Sequence, residues 1–143
     1  MGNILIKKRN AKILIFGGPE EQAIKNKLHQ SLPDNYSFVI DAPLKEVAAL
    51  IQKCKLFISN DSGLMNIAAS VGTRVAAIFG PTNRTRTPPL GKTNLVITAD
   101  IPCSPCLKYP FYSVSSEIKC KKDLECLRKI KVENVIGLVN KFF

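Results

Sequence analysis

The chain has 143 residues, enough for one domain with a proper core, and 45% of them are hydrophobic. No apolar run approaches the ~20 residues that a bilayer-spanning helix needs, and the first residues lack a signal-peptide pattern, so a cytoplasmic protein is expected. The formal net charge of +10 suits polyanions, but its clusters (Lys7-Lys8-Arg9 with Lys12, Arg84 with Arg86, and Lys119 to Lys131) are dispersed. No nucleic-acid motif or base-stacking aromatic series accompanies them, so no nucleic-acid partner is expected. A solvated basic surface is the simplest reading, and attraction to an anionic membrane face comes next.

In chain order, Met1 to Asn10 is basic apart from Ile4-Leu5-Ile6 and has no firm placement. Ala11 to Phe16 is a continuous apolar run that reads as a buried strand. Gly17-Gly18-Pro19-Glu20-Glu21 then turns into a helix, with two carboxylates in a first turn where they favour the helix dipole. Ala23, Ile24 and Leu28 give that helix a core face, and His29, the one histidine, reads as a surface residue. Tyr36 to Ile40 is the next strand, and Asp41-Ala42-Pro43 turns the chain into a helix whose Leu44, Val47, Ala48 and Ile51 recur at i, i+3, i+4, i+7.

The most informative stretch is Leu56 to Thr82. The strand Leu56-Phe57-Ile58 leads into the polar turn Ser59-Asn60-Asp61-Ser62-Gly63. A helix with Leu64, Ile67, Ala68 and Val71 on its core face follows, then Gly72 as a stop and a second strand, Arg74 to Phe79. The first N–H groups of a helix have no internal partner and sit at the positive end of its dipole, so the turn suits an anion. Asp61 or Asn60 is a plausible N-cap, and Gly63 leaves room for a phosphate against the backbone. Ser62 and Asn66 share the face opposite the apolar stripe. Asn83 to Gly91 reads as a mobile polar loop; its Arg84 and Arg86 either clamp phosphate or are exposed loop charges. Leu95 to Thr98 is the last strand. The alternation of strands and helices from Ala11 to Thr98 argues for an α/β fold with a doubly wound, three-layer parallel sheet built from all five strands.

These residues together resemble glycosyltransferase family 9, the heptosyltransferases of the lipopolysaccharide inner core. That family carries D-[ST]-G-x-x-H-x-A-A-x-x-G followed by a strand and F-G-P-T. Here the segment runs Asp61-Ser62-Gly63 through Ala68-Ala69 to Gly72, and then Phe79-Gly80-Pro81-Thr82. The family's histidine is Asn66, which can still donate a hydrogen bond to phosphate but cannot carry charge. The resemblance covers about Ala11 to Val139 and corresponds to the C-terminal, sugar-nucleotide-binding half of a GT-B enzyme, a Rossmann-like domain. It implies a nucleotide site of Glu21 (ribose), Ala42 (adenine, through backbone groups), Asp61, Ser62, Gly63, Asn66 and Thr82. It also implies that no metal or other cofactor is required and that no catalytic residue lies in this half.

Cys103-x-x-Cys106 with Cys120 and Cys126 suggests either a structural zinc site or free structural thiols, while Cys54 reads as a core residue at the end of its helix. From Lys122 the chain reads as helix with Leu124, Leu127 and Ile130 on one face; burial of these should bring Cys126 and Cys120 toward the Cys103 loop. Val132, Val135, Ile136 and Val139 define a final amphipathic helix. One Rossmann-like domain over 1–143 is expected, with a sheet-and-helix core over 1–99 and the cysteine-containing segment and C-terminal helices over 100–143.

The leading functional expectation is the donor-binding domain of a heptosyltransferase-like glycosyltransferase of lipopolysaccharide core biosynthesis. Its partners would be an ADP-sugar and an acceptor-binding half absent from this chain, and its place the cytoplasm, at the inner face of the membrane. The chain alone is expected to be inactive. The alternatives are a stand-alone, non-catalytic nucleotide- or phosphate-binding module, to which Asn66 points, and a basic, cysteine-rich interaction domain.

Overall fold

The computed structural model describes residues 1–107, 120 and 122–143. It is an α/β chain with parallel sheets and falls into two compact units, residues 1–49 and 50–143.

The first unit opens with α1 (Gly2–Arg9), the stretch that the sequence left unplaced. Lys7, Lys8 and Arg9 occupy its last turn, at the negative end of the helix dipole, and Asn10 closes it in the left-handed region at φ 51°. β1 (Ile13–Ile15), a 3-10 turn (Pro19–Glu21), α2 (Gln22–Gln30) and β2 (Ser37–Val39) follow. β1 pairs parallel to β2, with Ile13 opposite Ser37 and Ile15 opposite Val39. α3 (Leu44–Lys53) carries the chain onward, with Val47 and Ile51 buried as its periodicity predicts and Leu44 left 61% exposed.

The second unit contains β3 (Phe57–Asn60), α4 (Gly63–Ser70), β4 (Val75–Phe79) and β5 (Leu95–Thr98), all parallel in the order β3-β4-β5. Val75, Ala76 and Ala77 of the central strand are fully buried, as a strand covered on both faces requires. Ile51, Met65, Ala68, Ile97 and Val139 complete the core of this unit. After the cysteine-bearing segment come α5 (Glu125–Arg128), α6 (Val132–Val139) and a 3-10 turn (Asn140–Phe142).

Several sequence expectations are corrected here. The five strands form a two-stranded and a three-stranded ladder, not one continuous sheet. Alternation predicts parallel crossovers, but it does not dictate which strands exchange hydrogen bonds, and β1 and β2 are only three residues long. The core face of α2 is also different. Ala23, Ile24 and Leu28 are exposed, whereas Lys25 is 2% exposed, with Gln22 and His29 half-buried beside it. The inward stripe is therefore polar, because the groups it meets are a carbonyl, a carboxylate and a hydroxyl. Among the described residues from Lys122 to Lys131 only Glu125–Arg128 is helical, since Asp123 and Leu124 both have positive φ. Leu124 is 40% exposed, and Cys126 is the buried residue of α5.

Candidate functional site

In the second unit the β3–α4 turn carries the residues singled out by sequence. The helix cap is Ser62, not Asp61 or Asn60: its backbone is extended and its hydroxyl accepts the Met65 N–H at 3.4 Å. The Ser59 hydroxyl lies 3.0 Å from that of Ser62 and also donates to the Asn60 carbonyl at 2.8 Å, so the turn is hydrogen-bonded within itself. Asp61 is left to accept the Thr87 hydroxyl at 3.4 Å, which links the turn to the 83–91 loop. With Ser62 as cap, Gly63 and Leu64 are the first helical residues, whose N–H groups have no intrahelical acceptor. A Cβ added at Gly63 would meet nothing within 4 Å, so this backbone faces open space.

Asn66, one turn further on, is exposed, whereas Met65 and Ala68 are the buried residues of α4. The stripe predicted on Leu64, Ile67, Ala68 and Val71 is thus rotated by one position toward Met65, which packs at 0% exposure. Gly72 ends the helix as predicted, at φ 84°. Its N–H reaches the Ala69 carbonyl and that of Thr73 the Ala68 carbonyl, the paired bonds of a Schellman cap.

Thr82 lies half-buried past the carboxyl end of β4. Arg84 is committed to the end of β5: it donates to the Thr98 hydroxyl at 3.1 Å and lies 3.7 Å from Asp100. Its guanidinium is half-buried and already has these local acceptors.

In the first unit, Glu21 accepts the Gly18 N–H at 2.8 Å through one carboxylate oxygen, which fixes the side chain over its own turn. A Cβ at Gly17 would lie 2.8 Å from that same oxygen, so a side chain there would displace the Glu21 carboxylate from this position. Ala42 is half-buried in the turn after β2. Beside these residues is Lys25, which sequence reasoning passed over. Its ammonium donates to the Gly17 carbonyl at 3.3 Å and lies 3.6 Å from the Asp41 carboxylate. No sequence signal marks it, because a lysine on an amphipathic helix reads as solvent-facing. His29, taken as a surface residue, hydrogen-bonds through Nδ1 to the buried Ser37 hydroxyl at 2.7 Å.

All five cysteines are free thiols. The loop from Cys103 is held at the end of β4: the Cys106 and Leu107 N–H groups both donate to the Pro81 carbonyl at 3.0 Å, and the Ser104 hydroxyl donates to the Gly80 carbonyl at 2.7 Å. α5 meets the same turn, since a Cβ on Gly80 would come within 2.7 Å of Leu127. Burial pushes the Cys126 thiol up, and the nearby Cys106, Cys120 and Cys103 add to the effect. Even so, among the described residues no three of His, Cys, Asp or Glu are grouped tightly enough to hold a metal ion.

A parallel α/β chain with a capped, open helix start just past a strand's carboxyl end has the Rossmann-like arrangement, in which the carboxyl ends of the strands are where ligands of such sheets bind. Comparison with known proteins gives the particular family. The model of glycosyltransferase family 9 (heptosyltransferase) matches residues 3–113, and the chain belongs to that family. It is 34% identical over 136 residues to the lipooligosaccharide heptosyltransferase 2 of Campylobacter jejuni subsp. jejuni serotype O:6, covering 91% of this chain and 40% of that protein. The solved Escherichia coli ADP-heptose lps heptosyltransferase II superposes with a TM-score of 0.77 at 23% identity, over 99% of this chain and 38% of that one. The E. coli heptosyltransferase WaaC with ADP gives a TM-score of 0.59 at 24% identity, over 66% of this chain and 29% of that one. The fold is therefore that of a Rossmann-like part of GT-B heptosyltransferases, and the chain spans about 40% of the length of its relative.

Proposed function

We propose that this chain is the donor-binding half of a heptosyltransferase-like enzyme of lipopolysaccharide core biosynthesis, binding an ADP-sugar, or at least ADP. The observation that carries the reading is the family 9 segment folded as an open helix start, with nothing within 4 Å of where a Gly63 Cβ would stand. In the second unit the diphosphate sits on the N–H groups of Gly63 and Leu64, beside that of Ser62. Asn66 donates a further hydrogen bond from one turn below. Asp61 carries the same sign of charge as the phosphates, so its role, like that of Thr82, is toward sugar hydroxyls. In the first unit Glu21 offers its second carboxylate oxygen to a ribose, and the backbone of Ala42 receives the adenine. The solved relative with ADP supports that choice of nucleotide.

A transferase lowers its barrier by holding donor and acceptor together and by stabilising the leaving diphosphate. This chain supplies the second contribution; the first comes from an acceptor-binding half, as a further domain or a partner chain. No metal is required for binding. The enzyme works in the cytoplasm at the inner face of the membrane, and among the described residues no helix is long and apolar enough to cross one.

Isothermal calorimetry with ADP tests this reading. Each charge-assisted hydrogen bond contributes roughly 1.5–3 kcal/mol, so Glu21→Ala should weaken ADP by about tenfold or more. Asn66→His should leave binding unchanged or tighter. An absence of heat at millimolar ADP, or affinity indifferent to both Glu21 and Gly63, would sink the assignment. Sugar transfer by the chain alone would equally overturn the view that it is only the donor-binding half.

A further inference from the structure

Three cations of the second unit converge on an open pocket of about 320 Å³ at the amino ends of β4 and β5. Arg74 immediately precedes β4, Lys92 lies in the approach to β5, and Lys141 comes from the 3-10 turn after α6. No carboxylate side chain lines the pocket, and among the described residues none comes within ion-pair distance of these three. Elsewhere in the same unit, cations do find acidic partners: Arg84 with Asp100, Arg128 with Asp123, and Lys122 and Lys129 with Glu125.

The pocket has a fixed frame. The Asn94 side chain accepts the Val75 N–H at 2.8 Å and donates to the Leu90 carbonyl, which ties the Lys92 loop to the start of β4. The Phe142 ring has the Arg74 guanidinium 5.5 Å from its centre and the Lys141 ammonium at 5.7 Å, so two like charges are gathered around one ring. The ring neutralises neither charge, and an anion in the pocket that both residues line would be attracted to each.

We propose that this pocket binds a phosphate group of two negative charges, carried by a phosphomonoester or a diphosphate, at a site separate from the β3–α4 turn. The two sites lie at opposite ends of the parallel strands. A planar guanidinium meets phosphate oxygens two at a time, and two lysines supply point charges from other sides. The same phosphate chemistry occurs in free phosphorylated compounds and in the headgroups of an anionic membrane.

The test uses the full chain with inorganic diphosphate in calorimetry, and flotation with phosphatidylcholine vesicles containing phosphatidic acid. Arg74→Gln and Lys141→Gln should each weaken diphosphate by about tenfold, as loss of one charge-assisted contact predicts. Lys7→Gln/Lys8→Gln, which removes more charge from exposed α1 positions, should leave the affinity within twofold. Circular dichroism should show all variants folded, since each altered side chain is exposed. Vesicle binding that falls with Arg74→Gln identifies a lipid headgroup as the source, whereas diphosphate binding without vesicle binding identifies a free phosphate compound. Equal loss in the α1 control means diffuse charge attraction and overturns the proposal. So does diphosphate binding abolished by Gly63→Val and untouched by Arg74→Gln, which would place the probe at the β3–α4 turn only.

Discussion

Lys25 and Asp41 form an asymmetric pair: their charged atoms lie 3.6 Å apart, yet the lysine side chain is 2% exposed and the aspartate 75%. The ammonium also donates to the Gly17 carbonyl at 3.3 Å, so it ties the turn after β1 to the turn after β2. These turns carry Glu21 and Ala42. The asymmetry predicts an unusual order of mutational costs. Asp41→Asn strips a buried ammonium of its counter-charge and should cost about 1–3 kcal/mol, although surface changes are usually within about 0.5 kcal/mol. Lys25→Met retains the buried stem and removes the charge, so it should cost less than Asp41→Asn. Urea denaturation of both variants and of the double variant would measure the coupling. A harmless Asp41→Asn would show that the ammonium does not depend on this carboxylate.

The cap of α4 gives a second test. Ser62→Ala removes the acceptor for the Met65 N–H and should destabilise the protein by about 1 kcal/mol. Asp61→Ala should change stability by less than about 0.5 kcal/mol, because only a 3.4 Å contact from Thr87 is lost. Thermal melts that reverse this order would return the cap to Asp61.

Two glycines of the same helix should separate folding from binding. Gly72 sits at φ 84°, so Gly72→Ala should cost about 1 kcal/mol or more while leaving ADP affinity alone. Gly63→Val places its bulk in open space, so the fold should keep its stability within about 0.5 kcal/mol, whereas ADP binding should collapse. Denaturation and calorimetry on the same samples check both halves.

Thiol chemistry should follow burial. Cys103 and Cys106 are exposed and should react with a maleimide first, with the 5%-exposed Cys126 last. The Cys126 thiol is held above its ordinary value, first by burial and then by its neighbouring cysteines. In the unfolded chain this thiol ionises at the ordinary value. The stability that depends on its neutral form is therefore complete below that pH and falls as pH rises through it toward the folded value. Chemical denaturation between pH 7 and 10 should show this loss, and Cys126→Ala should flatten it.

Periodicity and turn chemistry are local, and they were legible in the sequence. The five strand positions, the Gly72 stop, the buried Val135, Ile136 and Val139 of α6, and the polar turn before α4 all follow from apolar runs and their interruptions. The family segment from Asp61 to Thr82 likewise identified the family and the helix start, because available backbone N–H groups there need only a cap and a glycine. Tertiary structure decided what depends on the partner across the gap. α2 has the apolar spacing of a core helix, yet it turns Ile24 and Leu28 outward, since its inward neighbours are the Gly17 carbonyl, Asp41 and Ser37. A period shows that a helix has two faces but not which one is buried. The same holds for the charges: Lys25, Arg84 and Arg74 are equivalent as letters. Only the fold buries the first, pairs the second with Asp100 and leaves the third facing an open pocket, because electrostatic partners come from residues distant in the chain.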